Sequence, residues 1–164
     1  MKKRYYLAYG SNLNMDQMVS RCPGSRRVGT ATIEDYQLLF KGSRTGSYLT
    51  IEEKDGGVVP VGVWEVTEED EKALDRYEGC PMFYYKDEVT IRMWDERRKR
   101  FREVNAFIYI MHEARKPGIP TPRYMRTCLI GYDDFRFDHH FLLDAQARAY
   151  DTQEKAFAAG RRAV

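Results

Sequence analysis

Tyr9-Gly10-Ser11-Asn12 stands directly behind the strand-like run Arg4-Tyr5-Tyr6-Leu7-Ala8 and directly before a helix-like segment. A turn of this kind can aim several backbone N–H groups at one point, and Gly10 lets the main chain come close to whatever sits there. Ser11 and Asn12 add short polar side chains. Further along, Leu74-Asp75-Arg76-Tyr77-Glu78-Gly79 ends a helix-like segment in a carboxylate flanked by Tyr77, Phe83, Tyr84 and Tyr85. An anion cradle and one carboxylate in an aromatic setting suit proton transfer on a small acidic metabolite. Each also has a plainer reading. Gly10-Ser11-Asn12 can be an ordinary strand-to-helix turn. Glu78 can be an exposed helix end paired with Arg76 or Lys86, although a carboxylate is unfavourable at the negative end of a helix dipole.

Other candidates carry less. Ser11 lacks the glycine pattern of a hydrolase nucleophile elbow. Cys80, next to Pro81, has no evident partner base, and His139-His140 reads as surface or packing. No phosphate loop, dinucleotide fingerprint or zinc motif is present. The cysteines Cys22, Cys80 and Cys128 are odd in number and far apart, with no ligand spacing to His112, His139 or His140. They read as free thiols filling the core of a protein in a reducing cytosol, and no metal is expected.

The elements that must position these groups fit one soluble domain. Its 164 residues, 43% hydrophobic and 32% charged, allow a single core of ordinary size. Twelve tyrosines imply rings that bury their faces while keeping a hydroxyl for hydrogen bonding. A net charge of +2 is too small for a nucleic-acid footprint. The apolar stretch after the basic N-terminus is too short for a signal peptide, and no segment reaches the ~20 apolar residues of a membrane span. The expected location is cytoplasmic, with neither nucleic acid nor membrane as partner.

Strands are expected over residues 4–9, 28–33, 36–41, 48–53, 58–66, 86–94 and 101–111. Lys54-Asp55-Gly56-Gly57 has the composition of a hairpin turn. Asp95-Glu96-Arg97-Arg98-Lys99-Arg100 reads as a solvated hairpin tip, since no aromatic residue interleaves with its charges. Asn14, Thr67 and Thr121 are helix N-caps, with Gln17 reaching back to Asn14 and Pro122 in the first turn of its helix. The first helix stops at Cys22-Pro23-Gly24, the second near Gly79, and the third about residue 130. Asp138 opens a last helix, and residues 151–164 form a helical or frayed tail. The fold class is α+β: a small mixed, mostly antiparallel β-barrel of about six or seven strands with short helices around it. The first strand runs into a helix, so it need not be antiparallel.

Taken together, the motifs resemble the gamma-glutamylcyclotransferase family (AIG2-like). The matching segments are Tyr6-Leu7-Ala8-Tyr9-Gly10-Ser11-Asn12-Leu13, Val61-Gly62-Val63-Trp64-Glu65-Val66 and Leu74-Asp75-Arg76-Tyr77-Glu78-Gly79-Cys80-Pro81, followed by Tyr84-Tyr85 and Pro122-Arg123-Tyr124. Thr121 replaces the serine of the last motif. The resemblance covers residues 1–150 as one domain. It implies a cofactor-free enzyme acting on a small gamma-glutamyl compound. Tyr6, Leu7, Ala8, Tyr9, Gly10 and Ser11 would bind its alpha-carboxylate and amino end, largely through backbone groups, with Asn12 supporting the turn. Glu78 would be the general acid/base, and Tyr85 and Tyr124 would line the pocket. The reaction implied is intramolecular aminolysis, releasing 5-oxoproline and a free amino acid or amine. Asn12 is closer to the members acting on gamma-glutamyl amino acids than to relatives with leucine there, and residues 42–50 and 116–124 are expected to select the leaving group. The competing reading is a non-catalytic module of the same fold that binds or senses a small carboxylate.

Overall fold

The computed structural model describes residues 2–43 and 46–162. Strand β1 (Arg4–Ala8) is followed by a 3₁₀ turn (Ser11–Leu13) and helix α1 (Met15–Arg21). Two long strands, β2 (Arg26–Ser43) and β3 (Gly46–Val66), lead into α2 (Glu68–Glu78). Then come β4 (Tyr84–Asp95), β5 (Arg100–Met111), a two-residue β6 (Lys116–Pro117), α3 (Pro122–Phe135) and α4 (His140–Arg162).

The strands pair in the order β3-β1-β5-β4-β2-β6, and β2 also pairs with β3, so five of them close into a barrel-like ring. All pairings are antiparallel except β1 with β5, which is parallel through Tyr5↔Ala106, Tyr6↔Phe107 and Leu7↔Ile108. Parallel strands cannot be joined by a tight hairpin, and here β1 leaves through the 3₁₀ turn and α1 while β5 arrives only after β4. The ring closes where β2 meets β4 at Gly29↔Asp95 and Thr30↔Trp94. Inside it, Leu7, Val61, Val63, Met93 and Ile108 share one face and are buried, each stabilising the fold by roughly 1.5–3 kcal/mol.

Two sequence expectations are corrected here. Residues 28–33 and 36–41 form one strand, as do 48–53 and 58–66, so six strands are found among the described residues. Lys54-Asp55-Gly56-Gly57 is not a reversal. Glu34 pairs with Val58 and Tyr36 with Glu53, leaving residues 54–57 as a bulge opposite Asp35. Asp35 and Gly56 both take positive φ, 59° and 74°, and the Asp35 carboxylate accepts the Gly56 N–H at 2.9 Å. An Asp-Gly pair supplies such backbone to a bulge as readily as to a hairpin. The two strands pair as far as Ser43↔Gly46.

The helix caps follow the sequence. Asn14 accepts from Gln17 N at 3.1 Å, Thr67 forms a capping box with Asp70, and Thr121 accepts from Tyr124 N at 3.2 Å. Gln17, however, does not reach back; its side chain accepts from Arg21. Helix α3 continues to Phe135, past the expected end near residue 130, because Tyr132 and Phe135 extend its buried face. Helix α4 begins at His140, whose N–H is accepted by Asp138 at 2.9 Å, and stays helical through Arg162 with residues 150–162 exposed. Among the described residues no helix is long and apolar enough to cross a membrane.

Candidate active site

The site begins where β1 leaves the sheet. Beyond Ala8 the chain turns through Gly10, and the 3₁₀ turn holds itself with Leu13 N to Gly10 O at 3.0 Å and Asn14 N to Ser11 O at 3.1 Å. The N–H groups of Gly10, Ser11 and Asn12 have no acceptor among the described residues. A Cβ on Gly10 would lie 3.3 Å from the Tyr124 hydroxyl and 3.4 Å from the Leu49 side chain. Any side chain here would press on both neighbours, and glycine avoids that.

Helix α2 brings the carboxylate to this turn. Its capping box fixes the start, Leu74 buries its inner face, and Gly79 ends it at φ 60°. Glycine adopts that left-handed backbone without steric cost, so Glu78 is the last helical residue. Its Oε1 accepts from the Asn12 side-chain nitrogen at 3.3 Å, and the same nitrogen donates to the Tyr6 hydroxyl at 2.9 Å. The ion-paired reading of Glu78 fails. Lys86 is taken by Glu71 at 2.6 Å and Asp75 at 2.8 Å, and Glu78 forms no salt bridge among the described residues. Burial pushes its carboxyl up from 4.5 to about 7, with the nearby Arg21 cation working the other way.

Between turn and helix end lies a cavity of about 320 Å³. Tyr6, Tyr9, Gly10, Ser11, Asn12 and Glu78 form its polar end. Tyr48, Leu49, Phe83, Tyr84 and Tyr124 form an aromatic wall opposite, with Tyr77 and Tyr109 beside the carboxylate. Two of the wall phenols spend their hydroxyls on main chain: Tyr84 donates to Leu49 O at 2.7 Å and Tyr124 accepts from Leu49 N at 3.1 Å. Tyr77 reaches across to within 3.2 Å of the Ser11 hydroxyl.

The residues singled out in the sequence divide accordingly. Tyr6, Tyr9, Gly10, Ser11, Asn12, Glu78 and Tyr124 meet at the cavity. Leu7 and Ala8 do not line it; both are buried in β1, where they pair with Val63 and Gly62. Tyr85 is also outside, its hydroxyl on Glu113 and its ring beside His112. Successive strand residues face opposite sides of a sheet, and at this point of β4 the cavity side falls to Tyr84. Of the expected selectivity segments, Tyr48, Leu49 and Tyr124 line the cavity, while Arg44 and Thr45 lie outside the described residues. Tyr109 gave no local signal, since it arrives from β5 by sheet pairing. Cys22 and Cys128 are buried free thiols pushed up to about 12 by burial, and Cys80 is a half-buried one. His139 and His140 sit at the surface beside Asp133 and Asp138.

Comparison with known proteins agrees with this geometry. The family model described as gamma-glutamyl cyclotransferase, AIG2-like, matches residues 6–126, a span that contains the turn, Glu78 and Tyr124. A gamma-glutamylcyclotransferase from Bos taurus is 29% identical over 134 residues, covering 77% of this chain and 68% of that protein. In fold, the chain resembles a solved gamma-glutamyl cyclotransferase with a TM-score of 0.73 at 24% identity, over 91% of this chain and 87% of that one. It also resembles a human protein solved as uncharacterized, with a TM-score of 0.70 at 23% identity, over 92% and 88% of the two chains. With the family match spanning the whole of the cavity's polar end, the chain belongs to the gamma-glutamyl cyclotransferase, AIG2-like family.

Proposed function

We propose that this protein is a gamma-glutamylcyclotransferase that converts a gamma-glutamyl amino acid or amine to 5-oxoproline and the freed amine. The observation that carries this reading is the Glu78 carboxyl, held by Asn12 inside a cavity whose other edge is the turn with its unpartnered N–H groups. The turn takes the substrate's alpha-carboxylate, and the glutamyl chain folds back so that its amine meets its own gamma-carbonyl. Fixing that folded shape removes much of the entropic barrier to ring closure.

The amine is protonated near neutral pH, with a reference pKa of ~8, and cannot attack in that form. Glu78, raised to about 7, accepts the proton at a cost of only about 1.4 kcal/mol, whereas an ordinary glutamate would ask for about 5 kcal/mol. The amine nitrogen then bonds to the gamma-carbon, and the bond from that carbon to the leaving nitrogen breaks. Two protons leave the attacking nitrogen and two reach the departing one, carried singly by Glu78. A turn N–H or a tyrosine hydroxyl stabilises the oxyanion. The aromatic wall receives the departing group. The three free cysteines support a reducing, cytoplasmic setting.

The direct test is incubation with a panel of gamma-glutamyl amino acids, gamma-glutamyl amines and glutathione, followed by detection of 5-oxoproline. Release from one or more of them is expected. Calorimetric binding of these compounds with no 5-oxoproline would overturn the catalytic reading in favour of a carboxylate-binding module.

A further inference from the structure

Arg21, the last residue of α1, reaches back over the polar end of the cavity although its own backbone lies outside it. The guanidinium carbon stands 3.3 Å from the centroid of the Tyr77 ring. One terminal nitrogen donates to the Asn12 side-chain oxygen, and the other to Gln17 Oε1 at 3.1 Å. Among the described residues Arg21 forms no salt bridge, so its charge is not cancelled by a carboxylate.

These contacts decide which way the Asn12 amide faces. Asn12 is only 3% exposed. Turned over, its NH₂ group would face the guanidinium donor, while its oxygen would face the Glu78 carboxylate. As found, both ends are matched: the oxygen accepts from Arg21, and the nitrogen donates to Tyr6 and Glu78. A planar guanidinium can make two hydrogen bonds and stack on a ring at once, which an ammonium cannot. The stacked Tyr77 ring in turn places its hydroxyl beside Ser11 in the turn.

We propose that Arg21 is a positioning residue for the reaction, fixing the Asn12 amide so that Asn12 holds Glu78 by one oxygen and leaves the other free for the substrate amine. This inference rests on the cyclotransferase reading of the site. Arg21 is the one cation near the Glu78 carboxyl that acts against its burial. The other groups facing Glu78 are neutral at physiological pH: Tyr6 and Tyr9 from β1 and the turn, Tyr84 from β4 and Tyr109 from β5, all raised by burial, and the Cys80 thiol. Asp75 faces away onto Lys86 and the Tyr109 hydroxyl.

The test uses Arg21→Met and Arg21→Lys in the full chain, with folding checked by circular dichroism. Arg21→Met is expected to lower kcat about 100-fold, as a misplaced catalytic group does, with KM little changed. The Glu78 carboxyl, followed by carbon-13 NMR and assigned with Glu78→Gln, should titrate higher than in the native protein, because the Arg21 cation that opposes its burial is gone. Arg21→Lys should restore the midpoint, because the charge is kept, but only part of kcat, because the fork is lost. A native kcat or an unmoved midpoint in folded Arg21→Met would overturn the proposal. Should that variant not fold, full kcat in Arg21→Lys would do so. The titration needs no turnover, so it reads Arg21's hold on Glu78 separately from any failure of the native protein to release 5-oxoproline.

Discussion

Tyr84 donates its hydroxyl to the Leu49 carbonyl at 2.7 Å, so the ring that walls the cavity is also a latch on the strand behind it. Tyr84→Phe leaves that buried carbonyl without its donor, an expected loss of about 1–3 kcal/mol by denaturant unfolding. 5-Oxoproline formation should fall with it. Tyr85→Phe, whose lost contact is to Glu113 outside the cavity, should leave formation at the native rate. Equal effects of the two substitutions would remove the distinction.

Glu78→Gln keeps the shape of the side chain and an oxygen to accept from Asn12, but it cannot carry a proton. The expected outcome is a loss of turnover of ~100- to 10,000-fold, the usual weight of general acid–base catalysis. Gamma-glutamyl ligands should still bind by calorimetry, and the circular dichroism spectrum should be native.

Because burial raises the Glu78 carboxyl to about 7, its ionised form is the minor one below that pH. The logarithm of kcat/KM should rise with pH and level off above about 7, where an ordinary glutamate would place the bend near 4.5. Stability should move in the opposite sense. A carboxyl that binds its proton more tightly when folded contributes stability below pH 4.5, and that contribution is lost as pH rises through about 7. Glu78→Gln does not titrate, so its stability relative to the native protein should grow over the same interval, approaching on the order of 3 kcal/mol. Thermal unfolding of both at pH 5 and pH 8 checks this.

Gly10→Ala puts a methyl group 3.3 Å from the Tyr124 hydroxyl, which must retreat from the Leu49 N–H it now accepts at 3.1 Å. The change should raise KM and cost stability. Tyr124→Phe removes the obstructing oxygen, so the double substitution should be less damaging than the two singles together, by about 0.5–3 kcal/mol of coupling. A strictly additive cycle would show that the two residues do not meet.

The parts of the fold written in local chemistry were legible in the sequence. Asn14, Thr67 and Thr121 announce helix starts because their side chains answer backbone N–H groups within three residues. Gly79 announces an end because few other residues accept its backbone angles. Glu78 stands out because an acid is ill placed at that end of a helix. What was hidden depends on register and distance. Tyr84 and Tyr85 are chemically alike, and only the pairing Tyr84↔Met111 with β5 settles which faces the cavity. The Asp-Gly pair at residues 55 and 56 looks like a reversal until its long partner strand is seen to run past it. The aromatic wall is gathered from β3, β4 with the residue before it, and α3, and no short segment contains it.

Two phenols hold the backbone of Leu49, one at its nitrogen and one at its oxygen, and both rings line the cavity. The chamber is therefore shaped like a mould cast on the main chain, with side chains that cannot swing aside independently. Under the proposed reaction, a larger departing group should not be admitted by a simple change of rotamer. Retuning the preference of this protein by single replacements at Tyr84 or Tyr124 would loosen the strand as well, so altered preference and lowered melting temperature should be inherited together.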